Sequence, residues 1–463
     1  MTVRLRDALR STAEDVPTYP VYERALATAR RSRRRRLAAA AGAVVLLALA
    51  GVMVPLTRTP ALDPAAADAA LPDRLGLPPI GTLHVTDRPR LGSASVIFSG
   101  PAPRLRGWND ASIVGLVGAD SDRYRIMRTG GEAAAGETVH LSPDGQHLAR
   151  PDGDEDEPGV DVVDLASGRT RHLKSSVTNT VASTPVGWSA DGASLVVRDE
   201  VPVAFDGATY TSVLSIVPLD GGRWTALASG AQEARFGSTV AATPGRLAYQ
   251  YGRTVAVADV QGRELSSFLL PDESWLAGRG AWSPDGATLT LATRQPATGQ
   301  WTLRRVDPRT GRDGEPLRLP AVTGMVSIRL LGWAPDGSAL VAAYQQDPDA
   351  PEPPLEEQTG PPATAEQVSS VRVLALTPGA TAPRTVLTAP AQVNAVDVAD
   401  QVIRGGRVRD AQPPGGVGGR FWLWTGLLTV LVAGTVLYGT RGRTRRWLDD
   451  RQARRRVPTR QPS

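Results

Sequence analysis

Thiol chemistry is closed to this chain of 463 residues, which contains no cysteine; disulfide frameworks and Cys-ligated metals go with it. The four histidines, His84, His140, His147 and His172, fall on predicted strands or their edges without the spacing of a metal motif, so each reads as a polar face residue. Asp152, Asp154 and Asp156 open at alternate positions as a calcium loop does. Glu157, however, stands where glycine is required and Val163 where a bidentate Glu should close the shell, which leaves an incomplete calcium candidate. The aspartates that recur most regularly, Asp144, Asp191, Asp285 and Asp336, are each followed by glycine (Gly145, Gly192, Gly286 and Gly337), a pairing that builds turns rather than active sites. No catalytic or cofactor-binding residue is assigned, no cofactor is expected, and the chain reads as a non-enzyme.

The elements that carry these turns are repeated. Leu141-Ser-Pro-Asp144-Gly145, Trp188-Ser-Ala-Asp191-Gly192, Trp282-Ser-Pro-Asp285-Gly286 and Trp333-Ala-Pro-Asp336-Gly337 each have a leucine four residues beyond the Asp: Leu148, Leu195, Leu289 and Leu340. The aspartates are 47, 94 and 51 residues apart, so the doubled gap hides one degenerate copy, Thr243-Pro244-Gly245-Arg-Leu247. Each copy predicts strand, tight turn, strand, with all four leucines sent to one face by period-2 alternation. A second turn follows each: Asp164 to Gly168, Asp220 to Gly222, Asp259 to Gly262 and Asp307 to Gly311. Two hairpins per period of this length make a four-stranded blade, and the expected fold is an all-β propeller.

The Ser-Pro-Asp-Gly-x-x-Leu pattern resembles the WD40-like (PD40) repeat of TolB-type β-propeller proteins, directly over residues 141–376. That resemblance implies the fold and leaves function open, since such propellers occur in scaffolds, periplasmic translocation proteins and peptidases. A peptidase of the prolyl-oligopeptidase kind would need an α/β-hydrolase domain with Gly-x-Ser-x-Gly, whereas only a linker and one apolar segment follow the blades. Six blades are placed at 94–129, 139–174, 181–228, 238–270, 280–319 and 326–387, with seven as the alternative count. Strands at 82–85 and 393–403 are expected to pair and close the ring.

Outside the propeller, two charge-free apolar runs, 37–56 and 421–440, are each 20 residues long and read as transmembrane helices. Arg30, Arg31 and Arg33 to Arg36 precede the first; Arg441, Arg443, Arg445 and Arg446 follow the second. The positive-inside tendency then puts both ends in the cytoplasm and the propeller, residues 81–406, outside the membrane. Residues 1–36 carry net +6 and 441–463 net +7, so of the chain's +5 the remainder carries −8. The Arg clusters adjoin membrane helices and lack interleaved aromatics, so they read as topology signals and lipid contacts, and no nucleic acid is expected. Lys174 is the only lysine, and this bias with Ala and Pro richness points to a high-G+C, actinobacterial genome.

Three segments complete the division. Residues 57–80 are an Ala/Pro-rich stalk, 407–420 a Gly/Pro linker, and 346–366 an acidic Pro-rich insertion in the last blade. The head, 1–36, predicts two short helices from Val3, Leu5, Leu9, Tyr22, Ala25, Leu26 and Ala29, and its layout resembles the cytoplasmic heads of membrane proteins encoded with sigma-factor systems. The expected function is a two-pass membrane protein that presents a non-catalytic propeller to an unknown protein or envelope ligand. The alternatives are an anti-sigma-like regulator with the propeller as sensor, or an envelope-acting enzyme with its site in the propeller channel.

Overall fold

The computed structural model describes residues 69–79, 81–100, 105, 112–129, 133–152, 157–202, 210–229, 236–346, 368–414 and 423–435. The head, the first apolar run, most of the acidic insertion, residues 421–422 and 436–440 of the second run, and the basic tail lie outside these residues. The chain divides into two units, 61–418 and a second one made of 1–60 with 419–463.

The first unit is a ring of six sheets. After β1 (Leu71–Pro72), the strands β2 (Ala94–Gly100), β3 (Ile113–Gly118) and β4 (Tyr124–Arg128) belong to blade 1. Blade 2 is β5 (His140–Leu141), β6 (His147–Pro151), β7 (Gly159–Asp164) and β8 (Thr170–Lys174). Blade 3 is β9 (Ala182–Trp188), β10 (Ser194–Pro202), β11 (Tyr210–Pro218) and β12 (Thr225–Ser229), and blade 4 is β13 (Phe236–Thr243), β14 (Arg246–Tyr251), β15 (Thr254–Asp259) and β16 (Glu264–Leu269). Blade 5 has three strands, β17 (Ser274–Leu276), β18 (Leu289–Gln295) and β19 (Gln300–Val306), extended by isolated bridges from Trp301 to Val322 and from Val306 to Asp313. Blade 6 is β20 (Ser327–Trp333), β21 (Ala339–Gln346), β22 (Val368–Leu376) and β23 (Arg384–Thr388); β24 (Ala395–Val398), helix α1 (Asp400–Gly405) and β25 (Val408–Arg409) follow.

Ring closure differs from the sequence expectation. β24 does not pair with 82–85; it becomes the innermost strand of blade 1, antiparallel to β2 through Val96 to Ser99, while His84 bridges Ile126 on β4. The pairing that closes the ring therefore buries β24 completely, and residues 400–403, expected as the end of the strand, belong instead to α1. The part of the stalk that is described, from Ala69, lies over the seam between blades 6 and 1. Leu71 is buried and pairs in parallel with Val408, Leu75 donates its N–H to the Thr388 carbonyl, and Gly76 donates to the Tyr124 hydroxyl.

The repeated turn explains the spacing of the blades. Ser142 donates its hydroxyl to Asp144 at 2.6 Å, that carboxylate accepts the Gln146 N–H, and the Ser142 oxygen accepts the His147 N–H. Ser189 with Asp191 and Ser283 with Asp285 repeat the arrangement, and each glycine takes φ near +70°, where an L side chain would be strained. These turns pair Leu141 with Leu148, Trp188 with Leu195 and Trp282 with Leu289.

In blade 6 Ala334 replaces the serine, and no hydroxyl is present to bridge the turn. The Ala334 N–H is then donated to Ser338, one residue earlier than the equivalent bond elsewhere, and Trp333 pairs with Ala339. A one-residue shift reverses the face of every following side chain. Leu340 accordingly packs with Val398 and Val402 of the closing segment, and only three of the four leucines share a face.

Candidate functional site

Two long side chains reach from their own blades to neighbouring ones. Arg279 lies between Gly278 and Gly280, whose hydrogens face backbone so closely that a Cβ would sit within 2.5 Å of Leu330 or Gly332 atoms. That approach lets the guanidinium reach Asp397 at 3.3 Å and Asp400 at 2.9 Å, and the Leu141 carbonyl at 3.4 Å. Asp397 is completely buried and also accepts the Leu141 N–H. Arg279 thus ties blade 5 to blades 1 and 2. Burial acts most strongly on this guanidinium and lowers its pKa, but Asp397 and Asp400 together outweigh it and hold the group above its ordinary value.

A second arginine works from blade 6. Arg329 donates to the carbonyls of Gly136, Ala135 and Val396, and its guanidinium lies 5.9 Å from the Tyr344 ring centre. Burial raises the Tyr344 hydroxyl and the half-buried Glu137 carboxyl above their ordinary values. Burial also pushes His140 down to about 4, so its ring is neutral at pH 7; Nε2 lies 3.1 Å from the Glu137 carbonyl. Arg279, Arg329 and Asp397 brace the ring, while the buried Tyr344 hydroxyl has no hydrogen-bond partner among the described residues.

Above this brace, α1 sits against the repeat turns. Gln401 donates its backbone N–H to the Pro143 carbonyl and its side chain to the Asp144 carbonyl, while Gly406 approaches Pro335. A pocket of about 280 Å³ opens beside it, walled by Trp282, Trp333, Pro244 and Pro284, with Asp400 and Arg404 supplying charge. The tryptophans are held in place by their indole N–H groups: Trp282 donates to the Ala241 carbonyl at 3.2 Å and Trp333 to Gly280 at 3.0 Å, each in the preceding blade. Trp188 does the same to His140 at 3.3 Å. The mouth therefore offers apolar walls, backbone-rich turns and one exposed cation.

The metal candidate read from the sequence is rearranged. Asp154 and Asp156 lie outside the described residues; Asp152 meets Asp161 and His172 instead, their ligand atoms all within 4.8 Å of one another. His172 Nδ1 lies 3.0 Å from Asp152 and 3.3 Å from Asp161, whose other oxygen is 2.5 Å from Arg150. Cross-strand register brings them together, since Arg150, Asp161 and His172 are directly opposite on β6, β7 and β8. Of the remaining histidines, His84 bonds Thr86 and is lowered by burial, and His147 lies against the Trp188 ring. The turn residues Asp144, Asp191, Asp285 and Asp336 with their glycines are engaged within their own hairpins.

Sequence reading missed Arg279, Arg329, Asp161 and Asp397. For Arg279 a local signal existed, an arginine flanked by two glycines; for the others only pairing across strands reveals the partner.

No family model matches the chain, and no curated protein matches it. Solved structures similar to it include TolB from Acinetobacter baumannii (14% identity, 66% of this chain and 67% of that one, TM-score 0.40). Others are the oligogalacturonate lyase of Vibrio parahaemolyticus (11%, 65% and 81%, 0.39) and the β-propeller domain of the Trilobed protease of Pyrococcus furiosus (13%, 55% and 72%, 0.32). At such values the likeness carries no statement about activity.

Proposed function

We propose that the protein is a membrane-tethered, extracytoplasmic binding module whose propeller takes a peptide segment of a protein or envelope ligand at the channel mouth. The observation that supports this reading is the pocket walled by Trp282 and Trp333 beside the exposed Arg404, close to which Arg279 pairs with the fully buried Asp397 and Arg329 donates to backbone carbonyls. An envelope-polymer enzyme would need carboxylates free to meet a substrate in that channel.

Among the described residues no helix is long and apolar enough to cross a membrane. The described helical segment 423–435 is 13 residues of the longer apolar run, and it exposes Leu423, Trp424, Leu427, Leu428, Leu431 and Val432 around more than half its circumference. Its polar side chains bond their own helix, Thr429 to the Thr425 carbonyl and Thr435 to Val432, as a lipid environment favours. The Arg clusters beyond both apolar runs support cytoplasmic ends.

Two measurements test the proposal. Single cysteines replacing the exposed Ser167 or Ala297 should react with a membrane-impermeant maleimide on intact cells, and one replacing Ser463 should not; the reverse pattern would sink the topology. A photo-crosslinking residue at Thr243 should capture a partner in native membranes, and Arg404→Glu should reduce that capture. Equal capture from a crosslinker at Ala297, remote from the pocket, would overturn the assignment to the mouth.

A further inference from the structure

We infer that Asp152, Asp161 and His172 form a binding site for a first-row divalent cation, Zn²⁺ or Mn²⁺, at the outer part of blade 2. The geometry is that of coordination. With bonds of about 2.1 Å, ligand atoms at tetrahedral or octahedral angles lie roughly 3.0–3.4 Å apart, and Nδ1 of His172 stands 3.0 Å from one Asp152 oxygen and 3.3 Å from one Asp161 oxygen. An imidazole Nδ1 carries at most one proton, yet it faces two carboxylates; a shared cation satisfies both.

The site is also built. Gly159, adjacent to the His172 ring, lacks a Cβ that would come within 2.6 Å of Cε1, so the imidazole lies against bare backbone and its Nδ1 is delivered between the two acids. Arg150 grips the far oxygen of the nearly buried Asp161 and leaves the near oxygen turned to His172, which is how an outer partner orients a metal-binding carboxylate. Two carboxylates against Arg150 leave one negative charge beside a nitrogen ligand. One nitrogen with two oxygens favours a borderline cation over Ca²⁺, which prefers six to eight oxygens. Asp152 and His172 are partly exposed, so water can fill the remaining positions. The cation would clip the end of β6 to β7 and β8.

The test titrates ZnCl₂ into the tag-free full-length chain at pH 7.5, reading calorimetry and Tm; with three other histidines and no cysteine, background binding is low. One equivalent of saturable binding is expected, with Tm raised about 4 °C at a hundredfold excess over Kd. His172→Gln and Asp152→Asn, both at the rim, should each weaken binding at least tenfold while the far-ultraviolet spectrum stays unchanged. The site would be overturned by no saturable binding up to about 100 µM Zn²⁺, a hundredfold over a micromolar Kd, by binding unchanged in both variants, or by Ca²⁺ raising Tm as much as Zn²⁺. A loss of metal-free Tm in His172→Gln without any Zn²⁺ effect in the parent would make the cluster an ion-pair triad and equally reject the proposal.

Discussion

Replacing Arg279 by Met should be among the most damaging single changes in the propeller. Methionine keeps much of the side-chain volume but leaves the completely buried Asp397 without its cation. Breaking one side of a buried pair costs about 3–5 kcal/mol, because the surviving charge remains desolvated. Unfolding entropy near Tm is about 2.1 cal/mol/K per residue, hence about 0.7 kcal/mol/K for a domain of roughly 340 residues, and the expected fall in Tm is about 4–7 °C. Scanning fluorimetry on the ten tryptophans, at one fixed scan rate, reads it directly. The double variant Arg279→Met with Asp397→Asn should recover a large part of the loss, since the uncompensated charge is gone while Leu141 N–H keeps an acceptor. A Tm for Arg279→Met within 1 °C of the parent, or a double variant no better than the single one, would refute the brace.

Trp282→Phe removes the indole N–H from the Ala241 carbonyl and leaves a smaller ring beneath Arg246; urea unfolding should show a loss of about 1–3 kcal/mol, and an unchanged midpoint would mean that the clamp between blades 4 and 5 is idle. Gly115→Ala places a methyl 2.3 Å from the Phe98 ring paired opposite it, so overpacking should cost about 1–3 kcal/mol, measured the same way. Acid stability follows from the turns. The Ser189 and Ser283 hydroxyls hold Asp191 and Asp285 below the ordinary carboxylate range, and the Ser338 N–H does so for Asp336. A depressed folded-state pKa contributes stability that is present above the unfolded value near 3.9 and is lost as pH falls through the folded values. The combined Asp191→Asn, Asp285→Asn and Asp336→Asn variant should therefore trail the parent at pH 7 and converge on it by about pH 2; a gap independent of pH would contradict the assignment.

The fold was legible in the sequence because its turns are local. Ser, Asp and Gly bond within six residues, so the hairpins and their period could be read directly, and the degenerate Thr243-Pro244-Gly245 copy does form the β13–β14 connection. What could not be read depends on register across distant strands. The Ala334 substitution shortens one turn and reverses Leu340, a consequence of a missing hydroxyl whose bridging role is visible only in the folded hairpins. Asp161 and His172 are 11 residues apart and look unrelated until β7 and β8 pair. Asp397 and Arg279 are separated by 118 residues and meet only because β24 returns to the first blade. For the mouth, the sequence supplied the tryptophans and prolines as turn neighbours, but the helix that completes it falls where a strand was expected.

The two ends of the first unit are joined to each other. The chain enters the first unit through β1 and leaves through β25, and these two strands are hydrogen-bonded to each other. The contact is reinforced by charge: Arg74 reaches Asp410, Arg409 reaches Asp122, and the Ala411 and Gln412 N–H groups are donated to Asp73 and Asp122. A load applied to the two ends of this unit would meet this clasp before it reached the β24–β2 pairing that closes the ring. Since β24 also holds Asp397, and α1 directly after it walls the pocket, the clasp isolates both from such a load. Under the proposed anchoring of both ends, such isolation favours a rigid display platform over a sensor that transmits force or displacement from the propeller.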